Sequence, residues 1–128
     1  MLNNMGATPC SAFDEFLHSL ARLDLDAMMA CVAEDATAFL PAEYQTVRLE
    51  GATAIRAAFA ELITRWRAAG MQTNPIDPKD VCWQESGDTV IVTFHLRTAH
   101  LGRRTVVLQR REQDWQLVHL HASNTLEK

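Results

Sequence analysis

Apolar residues recur every three to four positions in the first half of the chain and every two in the second. Phe13, Phe16, Leu17 and Leu20 follow helical spacing behind Ser11 and Asp14, which have the form of a capping box. Asp26 can cap a short second helix carrying Met28, Met29 and Val32. Residues 36–40 read as a strand stopped by Pro41, with a further extended piece over 44–49. Thr53 can cap a third helix, on which Ile55, Phe59, Leu62, Ile63 and Trp66 form one stripe, and Gly70 closes it as the residue after the C-cap.

Beyond Gly70 the alternation predicts strands over 81–85, 89–100, 104–112 and 115–123. Residues 86–88, 101–103 and 112–114 supply the turns, while Pro75 and Pro78 make 71–80 a loop or a sheet edge. Three helices followed by an antiparallel meander predict an α+β fold, with the helices on one face of a curved antiparallel sheet. The expected organisation is a flexible tail over 1–10 and one domain over 11–128.

The net charge of −4, from 12 basic and 16 acidic residues, argues against nucleic acid as a partner. The longest basic runs are Arg103-Arg104 and Arg110-Arg111, too short for a phosphate-binding surface. No apolar stretch approaches the roughly 20 residues of a membrane span, and the first ten residues lack the pattern of a secretory signal. Cys10, Cys31 and Cys82 have neither disulfide nor zinc spacing, so reduced thiols in a cytoplasmic protein are expected, with Cys31 and Cys82 in the core.

The last strand carries the chain's most suggestive polar residues. Val118, Leu120 and Ala122 form an apolar set by parity, whereas Leu117, His119, His121 and Ser123 form a mixed one. Apolar-in patterning turns the first set inward and both histidines outward. Three readings of His119 and His121 stand at this point: a polar stripe at a sheet or subunit contact, an acid–base pair facing a pocket, or two ligands of a metal that lacks a third.

The element order resembles the nuclear transport factor 2-like superfamily, the cystatin-like cone that includes ketosteroid isomerases and SnoaL-like cyclases. Ala38-Phe39-Leu40-Pro41-Ala42-Glu43 with Glu50-Gly51, and the closing Trp115-Gln116-Leu117-Val118-His119-Leu120-His121-Ala122-Ser123, look closest to the association (hub) domain of calcium/calmodulin-dependent protein kinase II and its bacterial relatives. The resemblance implies an apolar pocket between helices and sheet, and a homodimer or larger homo-oligomer formed on the outer sheet face. It does not imply one activity. Where isomerases of this kind carry the base and the oxyanion tyrosine, this chain has Leu40 and Phe16, so their mechanism is not expected here. At Ala122 this chain departs from the hub family, which often has a pocket arginine at that position.

The candidate ligand-pocket residues are His95, Tyr44, Trp66, Trp83 and Arg97. For His95 two indications disagree. The alternation of Val90, Val92, Phe94 and Leu96 turns it outward, whereas a match to the hub family places it in the pocket. Tyr44 offers a hydroxyl near the mouth, Arg97 a bidentate partner for a carboxylate, and the two tryptophans apolar walls. The expected function is binding of a small hydrophobic ligand, with catalysis open and no metal or cofactor assigned. The alternative is a non-catalytic assembly module with His119 and His121 at its interface.

Overall fold

The computed structural model describes residues 8–98 and 100–126. Helix α1 (Pro9–Ala21) begins inside the stretch expected to be a tail, and residues 1–7 of that stretch lie outside the described residues. Its cap is Thr8 rather than Ser11. The Thr8 hydroxyl accepts from the Ser11 amide at 3.0 Å, the Ser11 hydroxyl receives the Thr8 amide at 2.9 Å, and Pro9 fills the first helical position. Helix α2 (Leu25–Met29) is likewise capped two residues early, by Asp24, leaving Asp26 in the first turn.

Strand β1 (Val32–Phe39) leads through a turn at Pro41–Tyr44 to the two-residue β2 (Leu49–Glu50), so most of the extended piece expected over 44–49 is loop. Gly51, at φ 94°, starts α3 (Ala52–Ala68) in place of Thr53. Its other end is a Schellman motif. Gly70, at φ 92°, donates to the Arg67 carbonyl at 2.9 Å, and Met71 donates to Trp66 at 3.0 Å.

Strands β3 (Lys79–Ser86), β4 (Thr89–Arg97), β5 (His100–Arg111) and β6 (Asp114–Leu126) follow. The chain turns between Arg97 and His100, so the turn expected over 101–103 is strand and Gly102 lies within β5. The sheet order is β2-β1-β6-β5-β4-β3. It is mixed rather than wholly antiparallel, because β1 pairs with β6 in parallel. A period-two pattern carries no strand direction, and the long path from β1 to β6 needs no hairpin to bring them together.

Helices α1 and α3 cover the inner face. Phe13, Phe16 and Leu17 from α1, and Ile55, Phe59 and Leu62 from α3, meet Val90, Val92, Phe94, Val106, Leu108, Leu117 and Leu120 of the sheet. Phe13 meets Trp83 and Phe94 edge-on, with ring centroids 5.5 and 5.4 Å apart. Cys82, expected in the core, is exposed because it pairs with Thr93 on the outer face of the edge strand β3, in which Trp83 is the one half-buried residue.

A bulge re-aims β6. Leu117 pairs with Leu108 while His119 pairs with Val107, leaving Val118 as the additional residue. Leu117 is therefore 1% exposed on the same side as Leu120, against the simple parity, whereas His119, His121 and Ser123 occupy the outer face. Truncating Phe13 removes both edge-on contacts from the closed end of the core. Phe13→Ala is expected to cost about 3–5 kcal/mol in urea-induced unfolding, against less than about 1 kcal/mol for the exposed Val81→Thr control.

Candidate functional site

The inner sheet face curves away from the helices and leaves a cavity of about 420 Å³. Phe16, Leu17, Phe59, Leu62 and Trp66 line it from the helices, and Phe94, Val106, Leu120 and Ala122 from the sheet. Leu40 and Phe16 both stand in this wall, so neither a carboxylate base nor a phenol donor occupies those two positions. The polar lining comes from Glu43, Tyr44, Asn74, Asp77, Lys79, Arg97, Thr98, His100, Arg104 and Asn124.

Arg104 is a charged group set among the apolar residues of β5 and β6. Alternation on β5 puts it on the same side as Val106 and Leu108, directly across from Ala122. One terminal nitrogen, Nη1, donates to the Ser123 carbonyl at 2.9 Å, the Asn124 Oδ1 at 3.1 Å and the Arg103 carbonyl at 3.2 Å. Among the described residues no carboxylate lies within ion-pair distance of it, and Nε and Nη2 have no partner. Burial pushes its guanidinium below the ordinary arginine value, while Tyr44 and Glu43 nearby act in the opposite sense. An arginine remains charged through such a change, so the cavity holds a permanent cation.

Of the five residues assigned to the pocket, Tyr44, Trp66 and Arg97 line the cavity. Tyr44 is 42% exposed, and its backbone amide is tied to the Pro41 carbonyl at 2.8 Å. Trp83 does not reach the cavity, since its ring packs on Phe13. His95 also stays outside it. Val92 and Phe94 take the inner face of β4, and the strand pleat turns His95 outward.

There His95 Nδ1 lies 2.8 Å from Asp80 Oδ2, which also accepts from Arg97 Nη2 at 2.8 Å. Asp80 reaches both partners from a left-handed backbone, φ 56°, where β3 slips in register. The bonds from His95 and then Arg97 hold its carboxyl below the usual range. Arg97 is thus shared between the cavity wall and an outer ion pair.

His119 Nδ1 lies 2.7 Å from the Thr37 hydroxyl, and the Phe39 ring flanks His119 and His121 at centroid distances of 6.1 and 5.4 Å. Neither histidine lines the cavity. Among the described residues no three His, Cys, Asp or Glu side chains stand together as a metal-binding group.

Sequence reasoning assigned no site role to Arg104, which it weighed only as half of a basic run too short for a phosphate-binding surface. The available signal was parity, because Arg104, Val106 and Leu108 alternate with Arg103, Thr105 and Val107.

The model of the SnoaL-like domain matches residues 10–127. No curated protein matches the chain significantly. Among solved structures, a candidate calcium/calmodulin-dependent protein kinase type II association domain from Thiobacillus denitrificans is 27% identical, with 95% of this chain and 98% of that one covered and a TM-score of 0.75. A candidate dehydratase of the NTF2-like family from Streptomyces avermitilis is 20% identical over 91% and 92% of the two chains, also at 0.75. A cystatin-like fold protein from Burkholderia xenovorans is 22% identical over 93% and 90%, at 0.69. The fold is thus the cystatin-like, NTF2-like one, and by the match across most of its length the chain belongs to the SnoaL-like domain family.

Proposed function

We propose that the cavity binds a small, largely apolar organic acid whose carboxylate is received by Arg104. The observation that carries this proposal is the Arg104 guanidinium, set in an apolar wall with its Nε–Nη2 edge free of any described partner. The resemblance to the hub family adds support. That family often has a pocket arginine at the position of Ala122, and here an arginine stands opposite Ala122 on the neighbouring strand. With Leu40 and Phe16 in the wall, a ligand carbon meets no base and a ligand carbonyl no phenol at those positions, so binding is the function these groups support.

Magnitudes explain why the acid matters. Burying roughly 200 Å² of apolar ligand surface contributes about 5 kcal/mol. Loss of translational and rotational freedom costs at least about 4 kcal/mol, which nearly cancels that gain. A hydrogen bond to a charged group adds about 1.5–3 kcal/mol and decides whether binding is measurable.

The test is calorimetric titration with ω-phenylalkanoic acids of increasing chain length and with their methyl esters. The best acid is expected to bind about tenfold or more tighter than its ester, and Arg104→Met to remove that difference while sparing the ester. Equal binding of acid and ester by the unaltered protein, or no binding of either, rejects the proposal.

A second function, self-assembly through the outer sheet face, is favoured by a separate observation. Phe39, Ile91, Val107, His119 and His121 share that face, Ile91 is 37% exposed, and no described element covers them. The hub resemblance and the name of the Thiobacillus relative point the same way. Sedimentation velocity at micromolar concentration is expected to give a dimer or larger ring, and Ile91→Asp to give a monomer. A monomeric parent protein removes this second function.

Burial, and then the neighbouring His121, hold the His119 imidazole below its usual value of 6.5. The unfolded chain then binds this proton at a higher pH than the folded chain does. Stability is therefore full above about 6.5 and is lost as the pH falls toward the folded value. Urea midpoints are expected to drop between about pH 7 and pH 5, and His119→Gln to flatten that limb. An unchanged slope in the variant contradicts the assignment to His119.

A further inference from the structure

Gly102 sits inside β5, where its backbone needs no glycine. The glycines at 51, 70 and 87 have positive φ and serve helix ends or a turn, whereas Gly102 has none of that character. What it provides is room. A Cβ there would stand 3.2 Å from Arg104 Nη1, 3.2 Å from the Leu96 Cβ and 3.3 Å from Asn124 Oδ1, each closer than ordinary van der Waals contact. Two of those three atoms are the partners in the hydrogen bond between Arg104 Nη1 and Asn124 Oδ1. Gly102 is also the cross-strand neighbour of both Asn124 and Leu96, so the Arg104 side chain folds back along β5 over a residue that has no side chain.

We infer that Gly102 and Asn124 form a seat for Arg104 that determines how the cavity recognises its ligand. This inference rests on the acid-binding function proposed above and names the residues that orient it. The seat engages Nη1 on the Asn124 side chain and the Ser123 and Arg103 carbonyls. What remains is the Nε–Nη2 edge, two parallel N–H donors whose spacing matches the two oxygens of a carboxylate. The ligand's acid group is therefore held at the Gly102–Asn124 end of the inner face. Its apolar body runs along β5 and β6 past Val106 and Leu120. Gly102 and Asn124 are positioning residues that act through Arg104.

The experiment compares Gly102→Ala, Asn124→Ala and the double variant by calorimetry, using the best acid of the phenylalkanoic series and its methyl ester. Gly102→Ala is expected to weaken acid binding about tenfold and to leave the ester within about twofold. Asn124→Ala is expected to act in the same sense. The double variant should be no worse than the poorer single one, since both substitutions act on the same guanidinium. In an Arg104→Met background, Gly102→Ala should have no effect on either ligand.

Equal weakening of acid and ester, no effect of Gly102→Ala, or an effect that persists without Arg104 overturns the inference. Should Gly102→Ala fail to fold, Asn124→Ala and its combination with Arg104→Met decide it by the same criteria. Failure of the acid-binding function looks different, because the unaltered protein then shows no preference for acid over ester.

Discussion

Two helices laid across a curved sheet cannot touch it everywhere, and side-chain size decides where contact is lost. At one end Phe13 wedges edge-on between Trp83 and Phe94, and the helix–sheet space closes. At the other, Ala122 projects almost nothing from the inner face and lines the cavity, while Gly102 on the neighbouring strand leaves its space to the Arg104 side chain. The hydrophobic layer of Phe16, Phe59, Val106 and Leu120 is continuous between the two ends. The same packing that stabilises the fold therefore forms the cavity wall.

A guanidinium inside such a wall is costly unless it is hydrogen-bonded. Arg104 meets that condition on one side only, through the Ser123 and Arg103 carbonyls and Asn124. The charge is thereby fixed in direction without being neutralised by a described carboxylate, an arrangement suited to an incoming anion. Contrast Arg97, which also borders the cavity but whose Nη2 is engaged by Asp80.

The two faces of the sheet are separated by a single residue of irregularity. The bulge at Val118 lets β6 bury Leu117 and Leu120 together, and then present His119 and His121 outward beside Phe39. Membership of the SnoaL-like family accounts for this architecture and leaves the chemistry to individual side chains, as expected of a fold that hosts enzymes and assembly modules alike. The proposed acid-binding and assembly functions use opposite faces, so neither excludes the other.

Periodicity made the helix–strand order, the α+β class and the stripe on α3 legible in the sequence, because local spacing and burial obey one rule, whereas each helix is capped two or three residues before the expected residue. It also turned His95 outward by alternation, which the structure follows, while the family match drew that residue toward the pocket. Strand direction was not legible, since the parallel pairing of β1 with β6 depends on where the chain returns. Nor was Gly102, which reads as a turn residue when only its neighbours in sequence are known. Its meaning comes from Leu96, Arg104 and Asn124, brought around it from three strands. The sequence by itself determined the order of helices and strands and, Leu117 apart, which strand faces are apolar. Only the tertiary structure decided that a glycine, an asparagine and an arginine share one corner of the cavity, because hydrogen bonding between strands sets that register.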